Sequence, residues 1–277
     1  RALCGNERPL VRPQISVYQE VGLRQFVPAL LAPDRFRAVL PPATECWPEI
    51  ENYPAADGYA KSATMTLAQI TTTILQGFRQ PMGNFFDAFG RSFADYEPLI
   101  AQLERKRPLL DALCRMIPEG ARPVGARIFV HRDGLKVRRN AADWYGGRGL
   151  ADAMALLGLP LTHAGAMPWQ LFCGDDLLGC SDAELDALLR QGAVLDVTAL
   201  EALVLRGFAD RVGVRVGTAL SPDEIGYEEF LPRPAGGGVH GLPLRGFVWP
   251  QLRWRRLETV GGGRHEIRSV IRNYRQE

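Results

Sequence analysis

A chain of 277 residues has room for about two domains, and a hydrophobic fraction of 46% is enough for a sizeable core. Its 33 basic and 31 acidic residues leave a formal charge of +2, which points away from nucleic acid and from an anionic membrane surface as partners. No apolar run reaches the roughly 18 residues that a membrane helix needs.

In chain order, Leu10 to Val17 reads as a short strand and Val21 to Leu31 carries apolar residues at helical spacing, interrupted by Pro41 and Pro42. Thr44 to Glu51 is the next strand expected, although Pro48 cannot donate to a sheet ladder. Met65 to Phe78 is an amphipathic helix, Met82 to Phe86 a short apolar strand, and Tyr96 to Met116 a second long helix. Strands alternating with helices imply a parallel sheet with crossover helices. Pro118 to Pro123 is a turn-rich linker, which puts a first domain at 1–120.

A second α/β unit is expected over 121–220. Its strands are Arg127 to His131, Leu159 to Thr162, Gln170 to Cys173 and Ala193 to Val197. Its helices are Leu150 to Leu157, stopped by Gly158, Ser181 to Leu189, and Thr198 to Arg206. Ser181 is a good N-cap and Glu184 occupies the capping-box position. Beyond about Gly217 helical periodicity fades, and a C-terminal segment over 221–277 is expected to be β. Gly246 to Leu257 and Glu266 to Ile271 read as a hairpin around Gly261-Gly262-Gly263.

The five cysteines, Cys4, Cys46, Cys114, Cys173 and Cys180, are scattered and form no C-x-x-C pair. Neither a disulfide framework nor a metal site is expected, no cofactor motif stands out, and reduced thiols in a cytoplasm are the simpler expectation. The chain opens at Arg1 without a signal-peptide pattern. Either an upstream portion is missing or the chain was processed, and an export signal could have gone with it.

Chemistry concentrates in Glu45-Cys46-Trp47-Pro48-Glu49-Ile50-Glu51-Asn52-Tyr53-Pro54. The carboxyl ends of parallel strands are where a (β/α) barrel builds its active site. Glu49 and Glu51, two apart, share one face of a strand, and two like charges converging there are costly without a function. Solvated glutamates on a polar strand end are the plain alternative. Arg12, Gln14, Ser16 and Tyr18 lie two apart on the first strand, and the third runs into Asn84-Phe85-Phe86-Asp87. Carboxylates, amides, an arginine and flat rings suit a sugar, whose hydroxyls take paired polar partners and whose C–H faces stack on rings.

Three stretches resemble a barrel-plus-amidotransferase-like group related to glycoside hydrolase family 42. They are Arg12-Pro13-Gln14, then Pro48-Glu49-Ile50-Glu51-Asn52-Tyr53-Pro54 with Ala60-Lys61-Ser62, and Asn84-Phe85-Phe86-Asp87-Ala88-Phe89-Gly90. The second unit is similar to that family's trimerisation domain through Leu178 to Leu185 and through Gly192 to Val197 with Gly207-Phe208. The resemblance implies the last units of a (β/α) barrel, followed by a flavodoxin-like, class I glutamine amidotransferase-like domain, in a homotrimer that acts on carbohydrate. It implies a retaining β-galactosidase-like hydrolase with Glu51 as nucleophile and Glu49 as its near rival. Arg12, Gln14, Tyr18, Trp47, Asn52, Asn84 and Asp87 would line the sugar site, with Tyr18 within hydrogen-bond reach of Glu51. The family's acid/base glutamate follows an asparagine on the fourth barrel strand. Asn6-Glu7 mimics the pair but lies too close to Glu51 to leave room for two further units, so the acid/base is expected upstream of this chain.

Two alternatives stay open. A non-catalytic carbohydrate-binding or assembly protein could keep these strand ends without the acid/base. A working amidotransferase would need a glycine-flanked cysteine elbow with a histidine nearby. Phe172-Cys173-Gly174 is half of one, with Leu171 where the leading glycine belongs, and His131 and His163 are the domain's only histidines. Tyr145-Gly146-Gly147-Arg148-Gly149 lacks phosphate-loop spacing and reads as a flexible turn. The arginines between Arg253 and Arg272 read as a solvated or domain-contacting face.

Overall fold

The computed structural model describes residues 9–15, 17–22, 26, 29–52, 61–86, 90–137, 149–165, 169–230, 245–247, 254–261 and 269–273. The protein is a mixed α/β chain that includes parallel sheet, and it divides into two compact units, Arg1–Asp196 and Val197–Glu277. Among the described residues no helix is long and apolar enough to cross a membrane.

In the first unit, β1 (Leu10–Val11) pairs in parallel with β2 (Glu45–Cys46). Gln14 bridges Glu49 in the same sense, and β3 (Glu49–Glu51) pairs in parallel with β4 (Met82–Asn84). The expected continuous strand over Thr44 to Glu51 is therefore two short ones. Pro48 has no N–H to offer, and pairing resumes on either side of it, where Trp47 donates to the Val11 carbonyl (3.0 Å) and Glu49 to that of Pro13 (2.8 Å). The first strand is likewise shorter than Leu10 to Val17. Within the expected helix Val21 to Leu31, Phe26, Ala29 and Leu30 are helical, and a further helix, α1 (Ala32–Val39), follows.

Helix α2 (Ala63–Leu75) starts where Ser62 accepts the Met65 N–H, as an N-cap should. It ends near Gly77, whose φ of +80° suits only glycine; a Cβ there would lie 2.3 Å from the Ala121 oxygen. Helix α3 (Glu97–Met116) follows a short 3₁₀ turn, Phe93–Tyr96, and keeps Pro108 inside it. The partly buried Leu103, Leu110 and Leu113 of α3 pack on a core of Ile15, Val17, Ile50, Ile70 and Ile74. Ile50 is wholly buried, and burial of such a side chain contributes about 1.5–3 kcal/mol.

The remainder of this unit holds four parallel strands in the order β6-β5-β7-β8: β5 (Ala126–Ile128), β6 (Leu161–Thr162), β7 (Trp169–Phe172) and β8 (Gly192–Leu195). Short α4 (Gly134–Val137) and α5 (Gly149–Leu156) fall between β5 and β6, and α6 (Asp182–Leu189) between β7 and β8. The capping box at the start of α6 forms as the sequence indicates. Ser181 Oγ accepts the Glu184 N–H (3.3 Å) while Glu184 Oε2 accepts the Ser181 N–H (2.7 Å). Cys173 packs in the core with Ile128, Leu161 and Leu171.

In the second unit, α7 (Val197–Leu205) and α8 (Ala209–Val212) lead into β9 (Val214–Ala219). The strands β10 (Tyr227–Phe230), β11 (Arg245–Phe247), β12 (Arg255–Thr259) and β13 (Ser269–Arg272) follow. Among the described residues, the expected hairpin between Gly246–Leu257 and Glu266–Ile271 is not seen. Instead β12 pairs antiparallel with β9, and β13 pairs antiparallel with β10. Each strand finds its partner far back in sequence. The Tyr145–Gly149 turn lies largely outside the described residues.

One buried ion joins the parts of the first unit. Asp34 on α1 is 1% exposed and accepts hydrogen bonds from the His163 N–H (2.7 Å), Thr162 Oγ1 (3.2 Å) and Arg37 Nη2 (3.0 Å). Its neighbour Arg35 pairs with Asp176 at 3.2 Å. Burial alone would push the Asp34 carboxyl up, but the His163 and Arg37 contacts outweigh it and hold it well below the usual carboxylate range. Because the folded value lies below the unfolded one of about 3.9, this contribution is complete near neutrality and is lost as the pH falls below about 4. Asp34→Ala is expected to cost about 3–5 kcal/mol at pH 7 and to flatten the acid side of the stability–pH curve. Urea unfolding between pH 3 and 7 checks both.

Candidate functional site

The strand pairing at β3 assembles the site. The register sets Glu49 opposite Met82, Ile50 opposite Gly83 and Glu51 opposite Asn84. A Cβ at Gly83 would come within 2.4 Å of the Phe85 ring, which would have to turn aside. Ile50 points into the core, so the two glutamates lie on the other face, as strand periodicity requires.

The two carboxylates have different surroundings. Glu49 is 6% exposed and pairs with the Arg12 guanidinium at 2.9 Å. Burial raises its carboxyl above the ordinary value, the neighbouring Glu51 charge raises it further, and Arg12 partly offsets both. Glu51 is half-buried, and its Oε1 accepts from Asn84 Nδ2 at 2.9 Å. The structure thus gathers Arg12, Gln14, Glu49, Glu51 and Asn84 at one strand end.

Other expected site residues fall elsewhere. Trp47 precedes the break at Pro48 and lines a cavity of about 360 Å³ with Arg37, Cys46, Phe78 and Arg122. Asn52 is buried and turned toward α2, accepting from Thr66 Oγ1 at 3.4 Å. Tyr18 is half-buried beside Val17. Asp87 lies outside the described residues.

Lys61, part of the Ala60-Lys61-Ser62 stretch, was not among the expected site residues. It is 4% exposed, and its Nζ donates to the carbonyls of Glu51 (2.7 Å) and Val17 (2.8 Å) and to Gln69 Oε1 (2.6 Å). Burial lowers its ammonium to about 8, with Glu51 and Glu20 opposing. The signal for it lies in α2, where Thr66, Gln69 and Thr73 are polar yet buried, a face that calls for a polar partner. Lys61, Asn52 and Glu20 also line a cavity of about 330 Å³ whose far wall is Tyr96, Pro98 and Leu99.

The amidotransferase arrangement has little support from this geometry. Cys173 is 4% exposed, His163 is engaged with Asp34, and His131 Nδ1 accepts the Asp133 N–H at 3.1 Å. Among the described residues no cluster of three or more His, Cys, Asp or Glu is arranged to hold a metal ion. The chain matches no protein-family model, no curated protein and no solved structure.

The carboxyl of Glu49 has a direct thermodynamic consequence. Its folded-state pKa is raised, so the folded state binds protons more readily than the unfolded chain, and stability falls as the pH rises from about 4.3 through the raised value. Glu49→Gln should remove that decline. The melting temperature of the variant relative to the parent is expected to be higher at pH 7.5 than at pH 4; a difference independent of pH would contradict the assigned environment.

Proposed function

We propose that the chain carries the nucleophile end of a retaining glycoside hydrolase acting on β-galactosides or related glycosides, with Glu51 as nucleophile. The observation that carries this reading is the unequal carboxylate pair at the end of β3. Glu49 is buried and bound by Arg12, while Glu51 is more open and aimed by the Asn84 amide. A retaining mechanism needs one ionised carboxylate to attack the anomeric carbon as an acid protonates the leaving oxygen. Asn84 orients the Glu51 carboxylate for that attack, and Glu49 with Arg12 forms the polar floor that takes sugar hydroxyls. The covalent ester on Glu51 is then hydrolysed by a water that the same acid/base deprotonates. That second carboxyl is proposed to come from outside residues 1–277, about 5–5.5 Å from Glu51.

Two features of the fold support the wider reading. Three parallel strand segments follow one another in chain order with helices between them, as consecutive units of a (β/α) barrel do. The order β6-β5-β7-β8 matches the start of a flavodoxin-like sheet. Homotrimerisation through this sheet domain is part of the proposal. It is supported by β8, an edge strand whose residues Gly192 to Val194 are exposed.

In the full-length protein, Glu51→Gln is expected to lower kcat on an aryl β-galactoside by on the order of 10⁴-fold or more, since an amide cannot form the glycosyl ester. Glu49→Gln should cost less. Equal activity of Glu51→Gln and parent would end the catalytic assignment, and saturable sugar binding without turnover by the parent would favour the non-catalytic alternative. Sedimentation at micromolar concentration is expected to show a trimer; a monomer alone would remove the assembly proposal.

A further inference from the structure

We infer that Lys61 is a positioning residue for the proposed nucleophile: its ammonium, seated between the end of β3, the segment after β1 and helix α2, fixes the backbone that carries Glu51. The inference rests on the glycosidase reading of Glu51.

An ammonium has three N–H donors arranged around one nitrogen and no acceptor. Lys61 faces three acceptors from three separate elements: the Glu51 carbonyl on β3, the Val17 carbonyl and the Gln69 side-chain oxygen on α2, all within 2.6–2.8 Å. Each donor is matched, so the lysine fixes where β3 ends relative to both neighbours. Glu51 is the last residue of β3, and a shift of its carbonyl carries its side chain along. Catalytic carboxylates tolerate little displacement, because about 1 Å of misplacement can cost on the order of 100-fold in rate.

The charge matters as well as the shape. The charged groups that act on Lys61 are Glu51 from β3 and Glu20 from the segment after β1, while α2 presents the neutral Gln69. Loss of the proton leaves two donors for three acceptors and turns a lone pair on one of the oxygens. Burial brings that loss down to about pH 8. Arginine cannot substitute, since its planar fork does not place three donors around a single point. These three hydrogen bonds of Lys61 go to the Glu51 and Val17 carbonyls and to Gln69 rather than to the Glu51 carboxylate, so substrate affinity should be spared.

The test uses the full-length protein with an aryl β-galactoside, and measures kcat, KM and the pH profile for the parent, Lys61→Met and Lys61→Arg. Melting curves establish that each variant is folded. The expected result is a kcat at least thirtyfold lower in both variants, KM within threefold of the parent, and no rescue by arginine. A folded variant with parental kcat would overturn the inference while leaving the glycosidase reading intact. A parent inactive on all glycosides would remove that reading and this inference together. Should neither variant fold, the parent decides. A kcat that falls through about pH 8 supports the role of the ammonium, and a kcat flat to pH 9.5 overturns it.

Discussion

An ion taken out of water costs several kcal/mol unless the fold supplies partners for it, and two of the buried charged residues show how this fold does so. Asp34 and Lys61 are 1% and 4% exposed. Each is compensated by groups from distant parts of the sequence, so each compensation is also a geometric constraint. Asp34 ties α1 to the end of β6 through His163 and Thr162. Lys61 ties β3 and the Val17 segment to α2. Removal of either leaves unpaired acceptors or donors in the interior, which is costlier than the loss of an exposed pair.

The second constraint is the period of a strand. With Ile50 in the core, Glu49 and Glu51 share the opposite face of β3, and the parallel register sets Asn84 beside Glu51. A one-residue slip would turn both glutamates toward the core and Ile50 away from it. The same arrangement that forces two carboxylates together also makes them unequal, since burial and Arg12 act on Glu49 and the Asn84 amide acts on Glu51. Inequality of neighbouring carboxyls is what acid–base and nucleophilic chemistry requires. It is held in place at a cost in stability that an amide at position 49 would relieve.

Local patterns in the sequence carried well. The periodicity of Met65 to Phe78 and Tyr96 to Met116 corresponds to α2 and α3, and Ser181 with Glu184 caps α6 as its spacing indicates. The carboxylate pair was legible because strand period alone sets its facing, whereas Asn84 reaches Glu51 through the register of β3 on β4. What depended on long-range pairing was not legible. The Gly261 turn suggested a hairpin, yet β12 lies on β9 and β13 on β10, and nothing local to those strands distinguishes these partners. Trp47 is next to the site in sequence, and before the break at Pro48 it lines a cavity with Arg37 and Phe78. Lys61 stood in the Ala60-Lys61-Ser62 stretch but not among the expected site residues. Its role comes only from three acceptors that the fold brings together.

The claim on which the functional account turns is that Glu51 forms a covalent bond to the sugar. The most direct measurement is to treat the full-length protein with an activated 2-deoxy-2-fluoro-β-galactoside, whose fluorine slows hydrolysis of a glycosyl ester, and to map the modified peptide by mass spectrometry. The account predicts a single fluorosugar ester on Glu51. An adduct on Glu49 or on any other residue, or no adduct in a protein that turns over the parent galactoside, would contradict it.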